Sequence, residues 1–156
     1  MYIDVAIDVA MDGVLSGAGG PFGSVIVKDG IIVGTGHNNV LAKNDPTRHG
    51  EMEAIRNACF NLGTFALSGC ELYTTSEPCA MCLAGCMWAR LDKVYYGCTC
   101  EDAADIGFDD SNFDKALGID RNKVRADGFL IPLPEKDRNK CLDLFNEYVN
   151  TTDERY

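Results

Sequence analysis

The pattern of apolar and polar positions divides the chain into short elements. Ile3, Ile7, Ala10, Met11 and Val14 recur at helical spacing, which predicts an amphipathic helix over residues 2–16. Gly17-Ala18-Gly19-Gly20-Pro21 ends it, because Gly and Pro punctuate regular structure. Two β-rich runs, 22–28 and 31–36, flank Asp29-Gly30, the strongest short hairpin signal. Residues 38–47 read as a loop with a turn at Asp45-Pro46. A helix follows over 49–61, where Met52, Ile55, Ala58 and Cys59 share a face and Leu62-Gly63 follows the end. Residues 71–75 and 94–97 read as strands around a helix at 79–90. Pro78 can open that helix, since its missing N–H costs nothing in the first turn. Residues 101–106 read as helical, and 129–133 as an edge strand carrying Pro132. Cys141, Leu144, Phe145 and Tyr148 predict a helix over 137–149, and 150–156 is a polar tail. Strands alternating with helices, opened by a hairpin, predict an α/β fold: a three-layer α/β/α sandwich with a mixed five-stranded sheet, in one domain spanning 1–156.

Composition narrows the function. The 156 residues carry 14 Lys+Arg against 24 Asp+Glu, a net charge of −10. That surface repels phosphate backbones and disfavours a general nucleic-acid binder, which gains affinity by neutralising phosphates with Lys and Arg. The N-terminal segment is interrupted by Asp4, Asp8 and Asp12, so it does not read as a signal peptide, and no stretch has the length of a membrane span. The expected location is therefore the reducing cytoplasm. There the eight cysteines are thiols, metal ligands or nucleophiles, not a disulfide framework.

Candidate chemistry is concentrated in His49-Gly50-Glu51 and Pro78-Cys79-Ala80-Met81-Cys82. Cysteines three apart at a helix start lie on nearly one face, since three residues turn ~300°. A helix N-terminus also favours thiolates. With His49 these make a Cys₂His set, whose three protein ligands leave zinc an open position for water, the mark of a catalytic site. Zinc lowers the pKa of that water toward ~7, so hydroxide is available at neutral pH. Glu51, outside the ligand set, is the candidate proton carrier. Two residues of regular helix turn ~200°, so His49 and Glu51 can share a site only above the first turn of their helix. The H-x-E…P-C-x-x-C order is the signature of zinc deaminases. The competing readings are a structural zinc, with Cys98 and Cys100 completing a Cys₄ set, and a thioredoxin-like redox pair.

The sequence is identified by these motifs as a member of the cytidine deaminase superfamily. Residues 1–112 resemble the small bacterial guanine deaminases of that fold, through the stretches 19–30, Asn38-Asn39, 44–47, 49–51, 54–56, 77–82, 88–90 and 106–110. The resemblance implies a zinc-dependent hydrolytic deamination of guanine, in which Asp110 contacts the purine and assists proton transfer. It implies that Asn38 hydrogen-bonds the base, that Phe22 and Trp88 shape the pocket, and that residue 50 touches the base. Here that residue is Gly50, where the guanine enzymes more usually have Ala. It also implies a homodimer in which the tail 150–156 is exchanged, so that Tyr156 reaches an active site. The partners expected are a small nucleobase or nucleoside, with neither nucleic acid nor membrane. Each residue has a plainer reading: Phe22 and Trp88 as core, Asn38 as a turn residue, Asp109-Asp110 as a helix cap, Tyr156 as a frayed end. Residues 113–140 diverge from the resemblance, which keeps guanosine and cytosine open as substrates. A tRNA adenosine deaminase is opposed by the acidic run Glu101, Asp102, Asp105, Asp109, Asp110 and Asp114.

Overall fold

A computed structural model describes residues 1–156. Helix α1 (Tyr2–Leu15) leads into the hairpin β1 (Gly23–Lys28) and β2 (Ile31–His37). The turn residues Asp29 and Gly30 both have positive φ, 49° and 78°, as the favoured two-residue hairpin turn requires. A single turn, α2 (Val40–Lys43), precedes α3 (Gly50–Leu62), β3 (Cys70–Ser76), α4 (Ala80–Trp88) and β4 (Lys93–Cys98). The chain closes with α5 (Cys100–Asp105), α6 (Ser111–Leu117), α7 (Arg121–Ala126), β5 (Leu130–Pro132) and α8 (Glu135–Thr151).

The sheet order is β2-β1-β3-β4-β5, with β1 antiparallel to β2 and β3, and β3, β4 and β5 mutually parallel. The mixed five-stranded sheet is as expected, and Pro132 does lie on an edge strand, where its missing donor costs no ladder bond. Strand alternation sorts the core into two layers. Ile26, Leu72 and Val94 pack with Ala54, Ala58, Leu83 and Cys86 of α3 and α4. Val25 and Val27 on the other face pack with Ile3, Ala6, Cys141 and Phe145 of α1 and α8. No helix is long and apolar enough to cross a membrane.

Two differences from the sequence reading have physical causes. Helix α4 begins at Ala80 with Cys79 as its N-cap, so Pro78 precedes the cap and does not open the first turn. Helices α6 and α7 lack apolar periodicity: α6 buries only Asp114 and α7 buries nothing fully, so no hydrophobic stripe announces them.

Helix α3 lies on β2 at backbone distance. A Cβ on Gly34 would stand 2.6 Å from Ala58 N, and one on Gly36 would stand 2.4 Å from Ala54 N and 2.6 Å from Gly50 O. This contact sets the height of the α3 N-terminus above the sheet. Gly36→Ala should therefore lower stability by about 1–3 kcal/mol through overpacking. Gly63→Ala, at a left-handed helix end (φ 65°) with nothing within 4 Å, should cost about 1 kcal/mol. Thermal unfolding of the two variants checks the contrast; equal shifts would remove the close approach as the cause.

Candidate active site

His49 and Cys79 are both N-caps in extended conformation, with φ/ψ of −74°/156° and −64°/174°. Because His49 lies outside the helix, the ~200° rotation expected of helical i, i+2 residues does not apply, and Glu51 in the first turn of α3 faces the same space. His49 Nδ1 is 3.5 Å from Cys79 Sγ and 3.5 Å from Cys82 Sγ, and the three ligand atoms lie within 4.8 Å of one another. Zinc bonds of about 2.3 Å to sulfur and 2.0–2.1 Å to nitrogen at a tetrahedral angle place N and S about 3.5 Å apart. The residues present thus fit a tetrahedral zinc with one open position. Cys98 and Cys100 stand outside this cluster, which removes the Cys₄ reading.

The electrostatics suit a cation. Cys79 is pulled down to about 4, first by the Cys82 thiol donating to it and then by His49. Cys82, the donor of that pair, is pushed up. Burial disfavours the His49 imidazolium, but the Cys79 thiolate outweighs it and raises the ring. Glu51 is 5% exposed, and burial, followed by the Cys79 thiolate, raises its proton affinity. Thr74 Oγ1 donates to Glu51 Oε1 at 3.3 Å and accepts from Ser24 Oγ at 2.9 Å, tying the carboxylate to β1 and β3.

His49 and Cys79 border a cavity of about 420 Å³, inside the ~300–1,000 Å³ range of small-molecule sites. It opens at the carboxyl ends of β3 and β4, where open α/β sheets bind ligands. Phe22, Asn38, His49, Glu51, Cys79, Asp110 and Tyr156 of the sequence-predicted set line it. Phe22 meets Phe108 edge to face at 5.0 Å. Asn38 Oδ1 accepts from Val40 N at 3.0 Å, so the turn role and a place on the cavity coexist in one residue. Asp109 Oδ1 accepts from Ser111 N at 2.9 Å, while Asp110 is the N-cap of α6 by position but makes no side-chain cap bond, and both line the cavity. Burial and the Cys79 thiolate raise Asp110 as well. Tyr156 Oη accepts from Gly20 N at 2.9 Å, and the Arg155 guanidinium lies 5.4 Å and 5.0 Å from the Phe108 and Tyr148 ring centres. The tail is therefore fastened, not frayed.

Cys82 belongs to the ligand cluster but not to the cavity lining, and two expected substrate contacts are elsewhere. Trp88, at the end of α4, is 76% exposed and outside the cavity; its motif spacing gave no information on which way the helix end faces. Gly50, expected to touch the base, is outside the cavity lining and buried against β1, where a Cβ would stand 2.9 Å from Phe22 O, so its small size relieves a backbone contact. The sequence reading also missed Glu77, Phe108, Asp114, Arg121 and Arg125. Glu77 has a fully buried side chain held by Arg125 at 2.7 Å and by Cys100 N at 3.0 Å. Two arginines after the helix-ending Gly118 and the N-cap Asp120 were the signal available.

A family model described as the zinc-binding region of cytidine and deoxycytidylate deaminases matches residues 1–98. The chain belongs to that family. It is 53% identical over 110 residues to a guanine deaminase of Bacillus subtilis (strain 168), covering 70% of each protein. It is also 49% identical over 76 residues to a tRNA-specific adenosine deaminase of Aquifex aeolicus (strain VF5), covering 49% of this chain and 50% of that relative. The crystal structure of the Bacillus subtilis guanine deaminase superposes with a TM-score of 0.71 at 42% identity, covering 99% of this chain and 96% of the other. A guanine deaminase from Nitrosomonas europaea shares the fold at 22% identity, with a TM-score of 0.79 over 96% of this chain and 83% of that one.

This deaminase should lose tight zinc binding on Cys79→Ser and keep it on Cys98→Ser. Metal content after dialysis checks this; zinc retained by the Cys79 variant would dismantle the ligand set.

Proposed function

We propose that the protein catalyses the zinc-dependent hydrolytic deamination of guanine to xanthine and ammonia. The observation that carries this reading is Glu51. It is a buried carboxylate outside the metal set, lining the same cavity as His49 and Cys79, two of the three ligands that leave one position open. The 53% identity to a guanine deaminase supports the choice of base. His49, Cys79 and Cys82 would hold the zinc, which when bound would acidify a water to a pKa of about 7. Glu51 would accept one proton from the attacking water and deliver it to the ring nitrogen beside C2, and would then carry a second proton, from the hydroxyl newly bonded to C2, to the departing amine. A C2–O bond forms, the C2–N bond breaks, and guanine plus water become xanthine plus ammonia. The raised proton affinity of Glu51 suits a group that must hold the proton between these transfers. Asp110, across the cavity, assists protonation of the purine. Phe22 and Phe108 give the base apolar walls, and Asn38 offers it a polar edge. The N-terminus of α4, whose Ala80 and Met81 line the cavity, presents its positive end to the charge developing on oxygen. Tyr156 closes the cavity from the tail side.

We infer a homodimer in a reducing, cytoplasmic setting. The eight free cysteines fit that compartment; Tyr156 Oη meets Gly20 N of its own chain, so the dimer and its exchanged tail rest on the family resemblance alone. Likeness to tRNA-specific adenosine deaminases motivates a second reading, which the charge opposes. The cavity is edged by Glu51, Glu77, Asp109 and Asp110 on a chain of net charge −10, a setting that repels a phosphate backbone.

Ammonia release from guanine, guanosine, cytosine, adenosine and an anticodon stem-loop tests both readings. Turnover of guanine is expected, with little on the others. Activity confined to the stem-loop would reverse the assignment. Glu51→Gln should lower kcat at least ~10²–10⁴-fold with zinc retained; near-normal kcat would remove Glu51 from proton transfer.

A further inference from the structure

Helix α6 poses a physical problem. It carries Asp110 at its N-cap, yet its only buried residue is the charged Asp114. Apolar burial cannot hold it in place, since Phe113 and Leu117 are both exposed. What holds it is Arg121. The guanidinium donates from Nε to Asp114 Oδ2 at 2.7 Å and from Nη2 to Asp114 Oδ1 at 3.0 Å, a two-pronged pair with both side chains largely buried. Its remaining nitrogen, Nη1, donates to Pro78 O at 2.8 Å. Pro78 directly precedes the metal ligand Cys79, and its own ring removes the N–H that could otherwise anchor this turn. One residue earlier, Glu77 is fixed by Arg125 through Nε at 3.0 Å and Nη2 at 2.7 Å.

We propose that Arg121 is a positioning residue of the active site, bridging the turn that carries Cys79 to the helix that carries Asp110. A single planar group makes both attachments, so the metal ligand and the cavity carboxylate are held in mutual register by one side chain. A lysine keeps the charge but cannot span Asp114 and the Pro78 carbonyl together. The proposal rests on the metal-dependent deaminase reading above. It also gives a role to part of the divergent segment 113–140.

The test uses the full zinc-loaded chain and Arg121→Met, Arg121→Lys, Asp114→Asn and Val124→Ala. Zinc affinity is read by chelator competition, the Cys79 thiolate by the charge-transfer band of the cobalt-substituted protein, and α6 by amide hydrogen exchange over 111–117. Both Arg121 variants should weaken zinc at least ~10-fold, as loss of a group that orients a ligand typically does, and shift the cobalt band. Asp114→Asn, nearly the same shape, should speed exchange across 111–117. Val124→Ala, which thins the packing of α7 on the core, should lower Tm and leave zinc affinity and the cobalt band unchanged. Wild-type affinity and spectrum in both Arg121 variants would overturn the proposal, as would an equal effect from Val124→Ala. These readouts need no substrate, so failure to deaminate guanine would leave them standing.

Discussion

The structure depends on the backbone-level contact between α3 and β2. Gly34 and Gly36 present no side chains, and Ala54 and Ala58 answer with the smallest ones, so helix and strand approach as closely as main chain allows. Everything at the N-terminal end of α3 inherits that distance. His49 caps the helix, Glu51 turns into the cavity, and Gly50 is wedged beneath Phe22 O with no room for a methyl group. A helix seated on larger side chains would carry the histidine and the carboxylate away from the two thiols on α4. Catalytic geometry is thus a consequence of core packing, since interiors are close-packed and transmit displacement.

The second partner in the site, α4, is positioned differently. Its inner face is apolar, with Leu83 and Cys86 in the core, but its N-terminal turn is set by polar and ionic contacts. Glu77 and Pro78 are reached by Arg125 and Arg121 from a segment without a hydrophobic stripe. Burying a carboxylate such as Glu77 costs several kcal/mol unless it is paired and hydrogen-bonded, and here Arg125 and Cys100 N supply both requirements. One side of the site is therefore held by close apolar packing and the other by directional charge-assisted bonds. That division suits a metal centre whose histidine comes from one side and whose thiolates come from the other.

What could be read from the sequence follows the same division. The hairpin at Asp29-Gly30, the amphipathic helices, the five strands and the His49/Cys79/Cys82 set all rest on local rules of turn chemistry, periodicity and ligand spacing. Helices α6 and α7 did not declare themselves, because their attachment is ionic and long-range, and Asp114 and Arg121 look like ordinary surface charges in an acidic chain. The same blindness to tertiary direction put Trp88 in the cavity, although it stands exposed at the end of α4. Tyr156 was legible only through family resemblance; nothing local in a polar tail indicates that its last residue returns to Gly20.

Two helix N-termini build a three-ligand metal site with one position left for water. X-ray absorption at the zinc edge of the resting protein tests this most directly. Two sulfurs at about 2.3 Å, one imidazole nitrogen at about 2.0–2.1 Å and one further light atom that exchanges with solvent are expected. A third sulfur in the first coordination sphere, supplied by a thiol such as Cys86, would close the site and contradict it.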